Sequence, residues 1–324
     1  DWLVPFEEET GVKVNVQYIT SVPEAFAKVQ ADPNAFDIVL VTSGWGLGIL
    51  GKTSSTFTAA HMWPVATKFG GWNYGKADTI VGTGDFDGDG KDDIVIRSGW
   101  GLGILSLGPS GLVARSARPY GTSVGGWNLG AADVIEGIGD LDGDGKAELV
   151  IRSGWGIAVL ELVGDALTPL IIKPKDTVFD GWRYDPAQTR VRAIADFDGD
   201  GREDLVVTSP WGLGILEVNG ATMTALVAKP NDTWFGAWRY NAQVQGEDLV
   251  VAAADLGGDG KAELVLRSAW GTGVLRLAGD SLTTVSSHAH GTRIGAWHMN
   301  PAIRLTAVAD LDGAPGKELL FEAR

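Results

Sequence analysis

Residues 84–101 read GDFDGDGKDDIVIRSGWG and place five aspartates within nine residues, directly before a β-branched apolar run. Gly88 and Gly90 lie between the aspartates and permit the positive φ angles that a tightly curled loop requires. Residues 94–96 have the composition of a strand. Carboxylates at this density repel one another. The stretch is therefore either a solvated turn ahead of a strand or a site for a cation.

The same pattern recurs along the chain at a nearly constant period. The first aspartates of the five copies, separated by 55, 56, 59 and 55 residues, are Asp85, Asp140, Asp196, Asp255 and Asp310. Ten of the 13 tryptophans share this period, as five pairs 27 residues apart: Trp45 and Trp72, Trp100 and Trp127, Trp155 and Trp182, Trp211 and Trp238, and Trp270 and Trp297. We interpret both sets as packing between repeats, although aromatic residues that stack on sugars would have the same period.

Each repeat divides into four short strands. In the repeat that contains residue 85, apolar runs at 79–83, 93–98, 101–106 and 112–117 are separated by Gly, Pro, Ser and Asp. These residues favour tight turns. Four short strands in each of several repeats are typical of the blades of a β-propeller. The sequence therefore predicts an all-β fold.

The order of motifs makes this prediction more specific. F/V-G-G-W is followed by G-D-x-D-G-D-G-x-x-D/E and then by an apolar strand, which resembles the FG-GAP (integrin α-type, or VCBS-like) repeat. The resemblance covers residues 42–324. It implies a β-propeller of four-stranded blades with a calcium ion in each intact aspartate loop.

The chemistry of the loops agrees with calcium, which takes six to eight oxygen ligands. Three loops are intact. Each offers four carboxylates and, from the seventh position, a backbone carbonyl. The residues are Asp85, Asp87, Asp89, Lys91 and Asp93; Asp140, Asp142, Asp144, Lys146 and Glu148; and Asp196, Asp198, Asp200, Arg202 and Asp204. Two loops are degraded, because Gly257 and Ala314 replace aspartates, and they retain Asp255, Asp259 and Glu263, and Asp310, Asp312 and Glu318. The alternative is a set of solvated Asx-turns.

The charge of the chain is concentrated in these loops. The net charge is −15 and the pI about 4.6, which argues against a nucleic-acid surface. The candidate ligands are 18 of the 41 acidic residues, and removing 18 negative charges from −15 leaves +3. No apolar run approaches the roughly 20 residues that span a bilayer. Cysteine is absent, as in many exported bacterial proteins. We expect a secreted, periplasmic or cell-surface protein, of bacterial origin.

Two insertions in the repeats indicate a candidate ligand-binding face. They read RYDPAQTRVR (183–192) and RYNAQVQGED (239–248), and insertions into repeats tend to lie on one face, which is often the binding face. The candidate ligand-binding residues are Arg183, Tyr184, Trp234, Arg239 and Tyr240. No H-E-x-x-H or G-x-S-x-G motif is present. We expect a calcium-binding module that binds an extracellular glycan or a cell-surface protein and is not an enzyme. A polysaccharide lyase or hydrolase and a structural assembly module remain alternatives.

Residues 1–41 do not follow the repeat. They read as strand, helix (22–31) and strand, and they resemble the start of a periplasmic polyamine-type solute-binding protein, although forty residues are too few for its solute site. Strands at 304–309 and 317–322 would complete a blade with 45–50 and 56–61, which gives five closed blades. Six blades result if the N-terminal segment completes a blade. A closed propeller favours a monomer, and an open half-blade would need a partner chain.

Overall fold

A computed structural model of the chain describes residues 46–52, 57–241 and 248–323. Within these ranges every regular element is a β-strand, so the predicted all-β fold is confirmed. The N-terminal segment 1–41, with its expected helix and its resemblance to a solute-binding protein, lies outside the described residues, as do residues 242–247 of the second insertion.

Contacts divide the chain into two compact units, Asp1–Asp78 and Thr79–Arg324. The described strands of the first unit are two antiparallel pairs: β1 (Gly46–Lys52) with β2 (Phe57–Pro64), and β3 (Lys68–Phe69) with β4 (Trp72–Asn73). The predicted boundary at residue 41 and the predicted number of blades stay predictions.

The second unit repeats one arrangement, in which an antiparallel four-stranded meander is followed by a two-stranded ribbon. Repeat one comprises β5 (Thr79–Gly84), β6 (Asp93–Arg97), β7 (Gly101–Gly108) and β8 (Gly111–Pro119), then β9 (Ser123–Val124) and β10 (Trp127–Asn128). Repeat two comprises β11 (Val134–Gly139), β12 (Glu148–Arg152), β13 (Gly156–Val163) and β14 (Ala166–Pro174), then β15 (Val178–Phe179) and β16 (Trp182–Arg183).

The remaining strands continue the same order. Repeat three comprises β17 (Arg190–Ala195), β18 (Asp204–Ser209), β19 (Gly212–Asn219) and β20 (Thr222–Pro230), then β21 (Trp234–Phe235) and β22 (Trp238–Arg239). Repeat four comprises β23 (Leu249–Ala254), β24 (Glu263–Arg267), β25 (Gly271–Ala278) and β26 (Ser281–Ala289), then β27 (Arg293–Ile294) and β28 (Trp297–His298). The antiparallel pair β29 (Ile303–Ala309) and β30 (Glu318–Ala323) follows. The four strands predicted for repeat one are confirmed.

The core of the unit lies between successive sheets. Val95 and Ile104 of repeat one form a buried cluster with Leu149 and Leu160 of repeat two. The first strands of neighbouring repeats also approach closely, because a Cβ at Gly82 would lie 2.7 Å from Cδ1 of Ile138. Each sheet is therefore packed on the next by interdigitated apolar side chains, as in the blades of a propeller.

The meander places different loops at opposite ends of each sheet. The acidic loop joins the first and second strands, whereas the turn that carries S-x-W-G joins the second and third strands. The ribbon follows the fourth strand and lies at the same end as that turn, since antiparallel strands alternate in direction. We call the first end the acidic end and the second end the tryptophan end.

The two sets of periodic tryptophans have different surroundings. Trp127, Trp182 and Trp238 of the ribbons are buried, as predicted for packing between repeats, whereas Trp297 of the last ribbon is 42% exposed. The interpretation is incomplete for Trp155 and Trp270 of the S-x-W-G turns, which belong to the exposed large apolar side chains. The same turn in repeat three exposes its tryptophan as well.

Candidate metal sites at the acidic loops

Loop one, which joins β5 and β6, is curled around the side chain of Asp85. The Asp85 carboxylate accepts hydrogen bonds from the backbone N–H of Gly88 at 2.7 Å and of Gly90 at 2.8 Å. These glycines have φ angles of +77° and +81°, in the left-handed region that favours glycine. The sequence D-x-D-G-D-G thus forms a compact turn because a short acceptor side chain and two glycines lie in the required order.

The turn brings three carboxylates together. Ligand oxygens of Asp85, Asp87 and Asp93 lie within 4.8 Å of one another. Asp93 begins β6, is buried, and accepts a hydrogen bond from the N–H of Phe86 at 3.0 Å. Equivalent clusters are formed by Asp140, Asp142 and Glu148; by Asp196, Asp198 and Asp204; and by Asp310, Asp312 and Glu318. Positions one, three and nine of the loop therefore define each cluster.

In loops one to three, the buried ninth-position carboxylate of the cluster is electrostatically unfavourable by itself. Burial, with the nearby carboxylates as a further cause, raises the pKa of Glu148 and of Asp204 to about 8. The pKa of Asp93 is raised for the same reasons. A cation between the carboxylates would offset both causes. The donor set consists of oxygen atoms, which suits a hard cation such as calcium, so the residues of these four clusters fit the predicted ion.

The fifth-position aspartates lie differently from the prediction. Asp89 accepts a hydrogen bond from Nζ of Lys91 at 2.6 Å, and Asp144 accepts one from Nζ of Lys146 at 2.7 Å. Asp200 forms the corresponding ion pair with Arg202. The structure pairs these carboxylates with the seventh-position side chains and does not bring them into the clusters. Their role as metal ligands, and that of the seventh-position carbonyls, stays a prediction.

Asp92 is the fifth aspartate of the opening stretch and has a separate partner. Its carboxylate accepts a hydrogen bond from the hydroxyl of Thr83 on β5 at 2.9 Å. Asp92 therefore supports the first pair of strands and is not part of the cluster, in agreement with its omission from the predicted ligands.

Loop four departs from the prediction of a weaker calcium site. Asp255, Asp259 and Glu263 do not form a three-carboxylate cluster among the described residues. Instead, Nη2 of Arg276 lies 2.5 Å from Oε1 of Glu263 and 3.7 Å from Oδ2 of Asp259. A guanidinium thus supplies positive charge at the place where the third-position aspartate is replaced by Gly257. These residues do not fit a divalent cation, because a bound cation would have to displace Arg276.

A detectable sequence signal accompanies this difference. Arg276 is the sixth residue of β25, and the equivalent residues of the other third strands are Ser106, Glu161 and Glu217. Ser106 donates a hydrogen bond to Asp87 at 3.5 Å, and Glu217 forms an ion pair with Arg202. This strand position therefore faces its own acidic loop. Comparing it between repeats would have identified Arg276, which the sequence analysis missed.

Loop five keeps its cluster although Ala314 replaces an aspartate. The replaced residue is at position five, which the structure places outside the clusters. Asp310, Asp312 and Glu318 therefore remain together, with Glu318 accepting a hydrogen bond from the N–H of Leu311 at 2.8 Å. Loops four and five, which the sequence analysis treated as equally degraded, are different.

The candidate ligand-binding residues separate into exposed and buried groups. Arg183 and Arg239 are exposed and form ion pairs with Asp176 at 2.6 Å and Asp232 at 2.9 Å. Trp234 is exposed and lies opposite Arg239 in its ribbon. All of these residues lie at the tryptophan end. They are exposed, and their role in binding a ligand stays a prediction.

Tyr184 and Tyr240 are a correction to the predicted ligand-binding face. Their side chains are only 1% and 0% exposed and belong to the core. The reason is the alternation of side chains along the ribbon, which buries Trp182, exposes Arg183 and buries Tyr184. Burial also raises the pKa of Tyr184. We remove both tyrosines from the candidate face.

The FG-GAP-like repeat model matches residues 140–207 and 196–266, and the FG-GAP repeat model matches residues 77–113. These segments contain loops one to four. Among proteins of curated function, none matches this sequence. Within the part of the chain that the structure describes, no helix has the length and apolar character needed to cross a membrane.

Several solved structures resemble the chain. An Agrocybe aegerita lectin, solved for its specific recognition of non-reducing terminal N-acetylglucosamine, is 20% identical with a TM-score of 0.55; the match covers 86% of this chain and 69% of the lectin. The Photorhabdus luminescens Tc holotoxin pore is 19% identical, with a TM-score of 0.43 and coverage of 90% and 13%. The V. cholerae biofilm matrix protein Bap1 is 22% identical, with a TM-score of 0.30 and coverage of 61% and 27%. The chain therefore spans only a minor part of the last two proteins.

Proposed function

We propose, on the premise that this chain belongs to the FG-GAP repeat family and folds as a β-propeller, that it is a calcium-stabilised binding module for an extracellular glycan or a cell-surface protein. One observation carries the proposal: the carboxylate clusters and the exposed candidate ligand-binding residues lie at opposite ends of the sheets. The metal sites would therefore stabilise the scaffold, and the tryptophan end would bind the ligand.

Calcium has a structural role in this proposal. Asp85, Asp87 and Asp93 and their equivalents in loops two, three and five would hold the ion. When bound, calcium supplies positive charge that neutralises carboxylates already gathered by the turn. In loops one to three, the buried ninth-position residue anchors the site to the second strand through its bond to the loop backbone. Calcium modules of this kind suit the millimolar calcium outside cells, which supports a secreted, periplasmic or cell-surface location.

A glycan ligand is supported by the chemistry of the tryptophan end. The Arg183–Asp176 and Arg239–Asp232 pairs offer donors and acceptors side by side, which suits the paired hydroxyls of a sugar. Trp234 offers an exposed aromatic surface next to Arg239. The Agrocybe aegerita lectin, which shares the fold, recognises terminal N-acetylglucosamine. That ligand is therefore the first that we would test.

A glycan array probed with the calcium-loaded chain tests the proposed function. We expect retention of a defined group of glycans and no release of reducing ends from plant or bacterial polysaccharides. Release of reducing ends would show a polysaccharide-active enzyme instead. A blank array together with a defined oligomer in light scattering would show a structural assembly module. Either result contradicts glycan binding.

A further inference from the structure

Exposed tryptophans occupy the same turn in all four repeats; Trp100 is the least exposed at 38%, and the other three are Trp155, Trp211 and Trp270. The N–H of Trp155 donates to Oγ of Ser153 at 3.1 Å, and its carbonyl accepts a hydrogen bond from the N–H of Lys175 at 2.7 Å. The same two bonds hold Trp211, through Ser209 and Asn231, and Trp270, through Ser268 and His290. Each turn is thus tied to the chain that leaves the fourth strand of its own sheet. The backbone of each tryptophan is preorganised before any ligand arrives.

Each of these indole rings packs against one other indole ring and leaves part of its surface exposed to solvent. Trp155, Trp211 and Trp270 contact Trp127, Trp182 and Trp238 of the preceding ribbons at ring-centroid distances of 6.0, 5.5 and 5.5 Å, with interplanar angles of 81°, 79° and 83°. A perpendicular contact uses one edge or one face of a ring, so it leaves another face uncovered. The three side chains are 54%, 46% and 55% exposed. Covering this exposed ring area with an apolar ligand surface would be favourable.

The polar residue that accompanies each tryptophan varies. The residue whose backbone N–H bonds the tryptophan carbonyl is different in each repeat: it is Lys175, Asn231 or His290. Equivalent positions therefore carry different side chains. A constant aromatic surface with a variable polar neighbour suits ligands that share an apolar face and differ in their substituents. The three tryptophans belong to separate repeats, so each of them offers one aromatic surface to a ring-shaped ligand.

We propose that Trp155, Trp211 and Trp270 are stacking platforms for pyranose rings, at three equivalent subsites of the tryptophan end. The proposal rests on the glycan-binding function proposed above and names where and how the glycan is held. The favoured class is a pyranoside whose substituents are equatorial, because its axial C–H groups form the apolar face that an indole can cover. β-1,4-linked oligomers of glucose or N-acetylglucosamine belong to this class.

Isothermal titration calorimetry with cellotetraose and chitotetraose tests the platforms. We expect each of Trp155→Ala, Trp211→Ala and Trp270→Ala to remove one equivalent binding site, and the triple variant to lose all three. Val163→Ala is the matched control, because Val163 is an exposed apolar residue at the acidic end and its removal should leave binding unchanged. Circular dichroism and melting of each variant establish that it is folded. If the triple variant does not fold, the three single variants decide the question.

The outcomes separate this inference from the proposed function. If the wild-type chain binds glycans on the array and the folded tryptophan variants bind them with unchanged stoichiometry and affinity, the platforms are wrong and the binding function stands. If the wild-type chain binds no glycan, the platforms and the proposed glycan ligand are both overturned, and a cell-surface protein remains as the proposed ligand. Loss of one site for each substitution supports both.

Discussion

At the scale of single residues, Arg276 supplies positive charge in loop four, where Gly257 replaces the third-position aspartate of the candidate metal sites. A Cβ at Gly257 would lie 3.5 Å from Nη2 of Arg276, an ordinary contact, so the position accepts a side chain. We expect the double variant Gly257→Asp with Arg276→Ser, which copies Asp87 and Ser106 of repeat one, to bind one more calcium ion than the wild-type chain. Calcium content after dialysis, measured by atomic absorption, checks the gain.

The single variants are the controls for this exchange. Arg276→Ser alone should lower the Tm without adding an ion, because it leaves Glu263 buried without its guanidinium partner. Gly257→Asp alone should also add no ion, since Arg276 still occupies the loop. An unchanged calcium content in the double variant would contradict the assignment of Arg276 as the substitute for the metal.

The buried carboxylates predict a dependence of stability on pH in the metal-free protein. The pKa values of Glu148 and Asp204 are about 8 in the folded chain, above their ordinary values of 4.5 and 3.8. The folded state therefore holds these protons more tightly than the unfolded state, so their stabilising effect is full below about pH 4 and is lost as the pH rises through about 8. In EDTA we expect the Tm to fall by about 5 °C or more between pH 5 and pH 8.

Two comparisons check the origin of this pH dependence. The variant Glu148→Gln with Asp204→Asn should flatten the pH dependence in EDTA, since neither residue can then ionise. Saturating calcium should also remove the fall toward pH 8, because the ion favours the charged carboxylates. A fall of equal size in the double variant would assign the pH dependence to other groups.

Most of the cluster residues were predictable from the sequence, because the aspartates alternate with other residues along the loop and concentrate negative charge there. Positions one, three and nine were predicted as ligands, and the structure brings them together in four loops. The pairing of Asp89 with Lys91 was not predictable, because the same carboxylate has the right spacing for a metal and for a cationic side chain. The burial of Tyr184 and Tyr240 was missed for another reason: the two-residue strands that set their orientation are too short to give a periodic signal.

At the scale of elements, the acidic loops form a chain of backbone hydrogen bonds. In each of loops one to four, the backbone carbonyl of the first aspartate accepts a hydrogen bond from a backbone N–H of the next loop. The donors and acceptors are Ala147 and Asp85, Glu203 and Asp140, Ala262 and Asp196, and Lys317 and Asp255. An ion that orders one loop therefore also positions a donor or acceptor for its neighbours. We expect calcium to bind loops one to three with positive cooperativity, with a Hill coefficient above 1.

Two variants distinguish cooperative from independent sites. Asp142→Ala in loop two should remove one ion and weaken binding at loops one and three by about fivefold or more. Asp312→Ala in loop five is the matched control, because loop five bonds to loop four, which holds Arg276 in place of a metal. It should remove one ion and leave the other affinities unchanged. Equal effects of the two substitutions in a calcium titration would show that the loops act independently.

The four-stranded meanders were predicted well because their turns contain the strongest local signals. Gly, Pro and Asp at fixed offsets bound each strand, and the predicted strands of repeat one lie within β5, β6, β7 and β8 or extend one residue beyond. The tryptophans show the limit of this approach. The turn tryptophans are exposed and Trp127, Trp182 and Trp238 of the ribbons are buried, yet Trp297 of the last ribbon is exposed, because exposure depends on which sheet covers each ring and not on its spacing.

At the scale of the whole molecule, the acidity of the chain is concentrated at the acidic loops. With one calcium ion in each of the four clusters, eight positive charges would change the net charge of the protein from −15 to −7. Without metal, the clustered carboxylates repel one another and favour the unfolded chain, in which they separate. Removing calcium should therefore weaken several repeats at once.

We accordingly expect EDTA to lower the Tm by about 10 °C or more, since a ligand at 100 times its Kd contributes about 2.7 kcal/mol per site. Differential scanning calorimetry in calcium, in EDTA, and in EDTA followed by excess calcium measures the effect and its reversal. Raising the NaCl concentration in EDTA should restore part of the lost stability, because salt screens the exposed repulsion but cannot coordinate the buried ninth-position carboxylates. Magnesium should restore less than calcium, since its smaller octahedral shell suits these loops poorly. An unchanged Tm in EDTA would contradict calcium as the element that stabilises the fold.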